Sequence, residues 1–108
     1  MELSVIIVSY NVKYYLEQCI YAVLKACTNI NAEIIVIDNA STDKSLEYLQ
    51  SKFEQVQFIK LETNAGFAKA NNIALQKTEG NYVLYLNPDT IIGEDVITNC
   101  IEFLNEHI

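Results

Sequence analysis

Four times along the chain a short apolar run rich in β-branched residues gives way to apolar residues spaced three and four apart. This regular change of period, from strand to helix, limits the fold more than any other feature of the sequence. Leu3–Val8 reads as a strand buried on both faces. Val12, Tyr15, Leu16, Cys19, Ile20, Val23, Leu24 and Cys27 then recur at the spacing of an amphipathic helix. Glu33–Ile37 reads as a second buried strand, with Leu46, Leu49 and Phe53 marking the helix after it. Val56–Leu61 reads as a third strand. Phe67, Ala70, Ile73, Ala74 and Lys77 mark a helix expected to close at Gly80, a residue type suited to a left-handed C-terminal cap. Tyr82–Leu86 is the fourth strand. Gly93, Glu94 and Asp95 are expected to open the last helix, their acidic groups suiting its dipole, with Ile97, Cys100, Ile101 and Leu104 on its buried face. Strands alternating with helices through short connections imply an α/β fold: one parallel sheet, right-handed crossovers and helices on both faces, three layers in all. The strands lack polar alternation, which agrees with coverage on both sides.

Composition narrows the partners. The 108 residues suffice for one domain, and 51% apolar content predicts a packed core. A net charge of -7 and the absence of arginine exclude a nucleic-acid binder, which needs clustered cations against a phosphate backbone. The longest apolar run is far short of the roughly 20 residues of a membrane span, and no signal-peptide pattern opens the sequence. A cytoplasmic chain is expected. Cys19, Cys27 and Cys100 lack a C-x-x-C spacing and read as small core residues on helix faces. His107, beside the C-terminus, is a poor catalytic candidate.

In an open parallel sheet the ligand site lies beyond the carboxyl ends of the strands, where the strand order reverses. The segments there are Ser9-Tyr10-Asn11, Asp38 to Asp43, Thr63 to Gly66, and Asn87-Pro88-Asp89-Thr90. All are small and polar, two deliver a carboxylate at a strand end, and the opposite ends show no comparable cluster. The first turn lacks the glycines of a dinucleotide fold, and no P-loop is present. A phosphorylated ligand would therefore need its charge offset by a divalent cation, for which Asp89 is the natural holder, since Mg²⁺ takes one or two carboxylates and fills its shell with phosphates and water.

Taken together, the runs Ser4–Asn11, Ile37–Asp43, Asn64–Asn72 and Leu86–Thr90, in this order and each at a strand end, resemble the family 2 glycosyltransferases of the GT-A fold. The Asn-x-Gly-Phe-Ala-x-x-Asn-Asn and Asn-Pro-Asp-Thr versions are similar to the rhamnosyltransferase-like subgroup. The resemblance spans essentially the whole chain and the N-terminal half of the family's usual catalytic domain. It implies a four-stranded sheet in the order 3-2-1-4 that binds a nucleotide-diphosphosugar, dTDP- or UDP-linked. By the same resemblance, Ser9 and Tyr10 line the base pocket, with Asn11 beside them. Asp38 accepts the imide N–H of uracil or thymine. Asn64, Gly66 and Asn72 form the next motif, in which Gly66 permits a tight turn and Asn72 braces the loop or touches the nucleotide. Asn87 lies near the ribose and Asp89 on a Mg²⁺ or Mn²⁺ ion. Asn87 stands where the family's Asp-x-Asp motif has its first carboxylate, which leaves Asp89 as a single protein ligand. Asn71 stands where the family often carries arginine.

Some of these residues also suit structural roles: Thr42 and Asp43 as caps of the second helix, Asn11 as cap of the first, and Tyr14, Tyr15, Tyr21 and Tyr48 as packing residues. The resemblance implies inverting sugar transfer to a saccharide or lipid-linked acceptor in cell-surface polysaccharide synthesis, at the inner face of the membrane for a full-length protein. Its catalytic base would come from the later half of the domain, so residues 1–108 are expected to bind donor without transferring it, and to self-associate through surface the later half would cover. The alternatives are a non-catalytic nucleotide-binding module and a nucleotidyltransferase-related domain. The latter usually opens with a glycine-rich basic loop that is absent here. A receiver-like domain is disfavoured because Ser9-Tyr10 and Thr63-Asn64 occupy its acidic positions.

Overall fold

Every residue from Leu3 to Ser9 is buried, a pattern open only to a strand with neighbours on both edges and helices on both faces. In the computed structural model, which describes residues 1–90, 92–93 and 95–107, this segment is β1 and lies inside a four-stranded sheet. The chain continues through α1 (Lys13–Ala26), β2 (Ala32–Asp38), α2 (Ser45–Gln50), β3 (Gln57–Lys60), α3 (Phe67–Leu75), β4 (Tyr82–Leu86) and α4 (Val96–Glu106). The order is β3-β2-β1-β4, with every pair parallel. No helix of the described residues is long and apolar enough to cross a membrane.

Side-chain alternation divides the core in two. Leu3, Val5 and Ile7 of β1, with Ile34 and Val36 of β2, pack against Leu16, Cys19, Ile20 and Val23 of α1, Leu49 of α2, and Ile97 and Ile101 of α4. On the other face Ile6, Val8, Ile35 and Ile37 meet Ala70 and Ala74 of α3, whose small side chains let the helix lie close to the sheet. Burial of each Val, Leu or Ile stabilises by about 1.5–3 kcal/mol, so the two clusters are the main source of stability. The edge strands are less covered: Tyr85 of β4 and both ends of β3 are exposed.

Several local expectations change. Phe53 and Val56 are buried but lie outside α2 and β3, because the chain turns between them. Helix α3 stops at Leu75, so Gly80 is not its cap, and its φ is not positive. What requires glycine there is space: a Cβ at Gly80 would stand 2.5 Å from the Ser4 backbone nitrogen and 2.6 Å from the Leu3 carbonyl carbon. Gly80 N–H donates to Ser4 Oγ (2.9 Å), and Ser4 Oγ–H donates to Glu33 Oε2 (2.6 Å), which also accepts from Glu79 N–H (2.6 Å). The amino ends of the strands thus carry a polar network of their own, and its work is to join β1, β2 and the approach to β4. Helix α4 begins at Val96 with no acidic residue in its first turn; Asp95 stands at the cap position without a capping bond, and Glu94 lies outside the described residues. Cys100 and Leu104 are exposed, lining an open recess between α4 and the edge strand β4, and among the described residues of α4 only Ile97 and Ile101 are buried.

Gly80→Ala is expected to cost about 1–3 kcal/mol, because backbone must move to admit the methyl group. Urea unfolding should show a lower midpoint with an unchanged slope, and a midpoint equal to the wild type would contradict the steric reading.

Candidate functional site

The chain starts on β1, steps outward to β2 and β3, then returns to β4 on the other side of β1. The strand order therefore reverses between β1 and β4, and a crevice opens beyond their carboxyl ends. A cleft of about 640 Å³ lies there, lined by Tyr10, Val12, Tyr15, Asn87, Pro88 and Asp89. That is the size range of small-molecule sites. A second recess of about 120 Å³, between β4 and α4, is lined almost wholly by apolar side chains and offers a ligand little to orient it.

Ser9 and Asp38 end β1 and β2 and are register partners, so both side chains point to the same face of the sheet. Both residues are buried, Asp38 to 3% exposure. One Asp38 oxygen, Oδ2, accepts the Ser41 N–H at 3.1 Å. The other, Oδ1, and Ser9 Oγ are buried without a hydrogen-bond partner. Leaving such groups unpaired costs about 1–3 kcal/mol each and more for a charge, so each is expected to find its partner in a ligand or an ordered water.

The loops above these strands are tied together. Asn11 does not cap α1; Val12 occupies the cap position, with no side-chain bond. Instead Asn11 Oδ1 accepts from Thr42 N–H (2.7 Å) and Thr42 Oγ1 (3.4 Å), while Asn11 N–H donates to Ser41 Oγ (2.9 Å). Thr42 is therefore a partner of the first loop rather than a helix cap. The missing cap of α1 comes from Asp43, whose Oδ2 accepts Lys13 N–H at 3.1 Å. Its Oδ1 accepts from Ser45 N–H (3.0 Å) and Ser45 Oγ, so one carboxylate serves the starts of two helices. Among the described residues, the non-glycine positions with left-handed backbones are Asn11 (φ 52°), Ala40 (65°) and Lys44 (62°), all in these two loops, where strain is concentrated.

The third loop is held from the second. Buried Asn39 accepts the Ala65 N–H at 2.8 Å, and Asn64 Oδ1 accepts Gly66 N–H at 2.8 Å. Gly66 has open space where a Cβ would stand, but its φ of 81° is one that glycine alone adopts without strain. Asn72 lies exposed within α3 and makes no side-chain hydrogen bond among the described residues, so bracing falls to Asn39. Of the residues expected at the site, Tyr10, Asn87 and Asp89 line the cleft, whereas Ser9, Asn11, Asp38, Asn64, Gly66 and Asn72 do not.

The fourth loop stands apart from this web. The Thr90 N–H to Asn87 O bond (3.0 Å) closes its turn, and the buried Cys19 thiol lies 3.8 Å from Asn87 O. Burial, with the charge of Asp89 added, pushes the Cys19 thiol up to about 11. Asp89 is exposed on the cleft wall. Among the described residues no group of three or more His, Cys, Asp or Glu could hold a metal ion. The donor set therefore fits a cation that takes one protein carboxylate and draws its other ligands from substrate and water, as Mg²⁺ does.

Residues 4–107 match the family model described as Glycosyl transferase family 2. The chain belongs to that family. An uncharacterized glycosyltransferase of Haemophilus influenzae is 36% identical over 105 residues, covering 94% of this chain and 42% of the relative. The poly(ribitol-phosphate) beta-N-acetylglucosaminyltransferase TarS of Staphylococcus aureus is 30% identical over 111 residues, 99% of this chain and 19% of TarS. Its structure in complex with UDP-GlcNAc superposes with a TM-score of 0.87, covering 99% of this chain and 32% of that one. A mannosyltransferase of Pyrobaculum calidifontis, in complex with GDP-Man and Mn2+, has a TM-score of 0.84 at 22% identity over 95% of this chain and 32% of its own, which shows the shared GT-A fold. The chain thus spans less than half the length of each of these proteins.

Sequence reasoning missed Tyr15 as a cleft residue, because helical spacing assigned it to packing; it lies in the first turn of α1, on the side facing the crevice. It also passed over Asn39 and Ser41. A buried asparagine following a strand carboxylate was the available signal for the first, since a buried amide must find a partner.

Two outcomes test this geometry. With its thiol near 11, Cys19 should be about one part in a thousand thiolate at pH 8. Iodoacetamide should label exposed Cys100 and spare Cys19 by mass spectrometry; rapid labelling of Cys19 in the folded chain would contradict its placement. Asp43 titrates below the usual carboxylate value: burial raises it, but its bonds to Ser45 and Lys13 and the Lys13 charge outweigh that. A depressed folded value means that the stabilisation is complete above about pH 4 and lost as pH falls through the folded value. Asp43→Asn should flatten that acid-side loss of stability, and an unchanged slope below about pH 4 would contradict the double-cap role.

Proposed function

We propose that residues 1–108 form the donor-binding part of a glycosyltransferase catalytic domain, holding a pyrimidine nucleotide-diphosphosugar where β1 and β4 diverge. The observation that carries this reading is the buried, unpartnered Asp38 Oδ1 at the end of β2, whose register partner Ser9 immediately precedes Tyr10 of the cleft wall. The imide N–H of uracil or thymine is a donor that would satisfy this carboxylate, and the ring would pack against half-exposed Tyr10. The TarS complexes with UDP-GlcNAc and UDP favour uridine over thymidine as the nucleoside. The diphosphate then lies towards Asn87 and Asp89 on the opposite wall.

An acidic chain without arginine has little of its own to offset a diphosphate. Asp89 would hold Mg²⁺ or Mn²⁺, and a bound ion supplies that charge and stabilises the leaving group. Asp89 is also the only carboxylate lining the cleft among the described residues. Since it is committed to the cation, the described residues of the cleft wall leave no general base for an acceptor hydroxyl. Residues 1–108 should therefore bind donor without transferring sugar to the saccharide or lipid-linked acceptor that an inverting enzyme of polysaccharide synthesis would use.

Calorimetry should show UDP binding in Mg²⁺ or Mn²⁺, weaker GDP binding, and a large loss in EDTA. Asp38→Asn should weaken UDP by about tenfold, the difference between a charged and a neutral acceptor. Equal affinity in EDTA would remove the metal, and full affinity in Asp38→Asn would remove the base contact. Sugar transfer from a nucleotide sugar by this chain would overturn the donor-only assignment.

A further inference from the structure

The two residues assigned to the nucleobase are Tyr10, which opens the first loop, and Asp38, which ends β2 before the second, and the hydrogen bonds between these segments form one continuous path. Tyr10 is followed by Asn11, whose N–H donates to Ser41 Oγ at 2.9 Å. Ser41 N–H donates to Asp38 Oδ2 at 3.1 Å, which turns the other carboxylate oxygen away from the protein's own donors. Asn11 Oδ1 adds the bond to Thr42 N–H at 2.7 Å. Asn11 therefore has its backbone N–H and its side-chain oxygen engaged by the second loop, and its own φ of 52° turns the chain at the residue after Tyr10. A left-handed backbone at a residue with a Cβ is tolerated best by asparagine, whose amide can bond locally.

From this path we infer that Asn11 and Ser41 are positioning residues for base selection: they hold the Tyr10 ring and the Asp38 carboxylate at a fixed separation without touching the ligand themselves. The inference rests on the proposed nucleotide site and adds a device to it. Preorganisation of this kind raises affinity by removing the ordering that binding would otherwise require. It acts on the base and leaves the metal side alone, because among the described side chains no hydrogen bond joins the Asn87–Thr90 loop to Asn11, Ser41 or Thr42.

Three variants separate the contributions. Asn11→Gly keeps the left-handed backbone and removes the acceptor. Asn11→Asp keeps both the acceptor and local tolerance of that backbone. Ser41→Ala removes the acceptor for Asn11 N–H while leaving Ser41 N–H on Asp38, and it stands in should Asn11→Gly fail to fold. Calorimetric affinities for UDP and GDP in Mn²⁺ are the readout. Asn11→Gly and Ser41→Ala should each lose about tenfold in UDP affinity, the size of one well-placed hydrogen bond, with the UDP-over-GDP preference shrinking by a similar factor. Asn11→Asp should recover most of both. Wild-type UDP affinity in Asn11→Gly, an equal fall for UDP and GDP, or an Asn11→Asp variant as weak as Asn11→Gly would each overturn the inference while leaving the nucleotide site standing. Absence of UDP binding by the wild-type chain would overturn the site and this inference together.

Discussion

The two-sided burial of β1 is the constraint on which the rest of the molecule depends. A strand apolar on both faces and paired along both edges must lie inside the sheet, so β2 can take only one side and a later strand must return to the other. The return of β4 creates the reversal of strand order, and the reversal creates the crevice. At the amino end the same return is secured by the close contact of Gly80 with Ser4, which a side chain would prevent. The position of Asp89 on the cleft wall is thus set from both ends of β4: by packing and register below, and by the short Asn87–Thr90 turn above.

Two kinds of wall result. On the side of β1 and β2, polar side chains tie three successive loops into a web, and the only buried side-chain polar atoms left without partners among the described residues are Ser9 Oγ and Asp38 Oδ1. On the side of β4 a single exposed carboxylate faces the cleft, with a buried thiol behind it. A rigid wall suits recognition of a planar base, whose contacts must be aimed. An open wall with one carboxylate suits a cation that completes its coordination with phosphate and water. The two halves of a nucleotide-diphosphosugar differ in the same way.

Much of this was legible in the sequence because burial and periodicity write themselves directly into residue type. β4 has the bounds its apolar run suggested, β1 and β2 differ by a residue or two, and the strand order matches that implied by the family resemblance. The polar ends of the strands, including Asp38 and Asp89, stood out for the same reason. What the sequence hid were relations between distant loops. Nothing local shows that Asp43 caps a helix thirty residues earlier, that Asn11 bonds to the second loop, or that Gly80 is needed by Ser4. Tyr15 and Cys100 were misplaced because helical spacing identifies a face without telling what lies opposite it: a crevice in one case, and the sheet's edge in the other.

The central claim, that base and metal are held on opposite walls of one crevice, is tested most directly by magnetic resonance of the nitrogen-labelled chain. UDP with Mg²⁺ should shift amide signals of Ser9 to Asn11 and Asp38 to Ser41, and replacing Mg²⁺ with Mn²⁺ should broaden signals most strongly around Asn87 to Thr90. Broadening centred elsewhere, or UDP shifts confined to the amino ends of the strands near Ser4 and Gly80, would contradict the account.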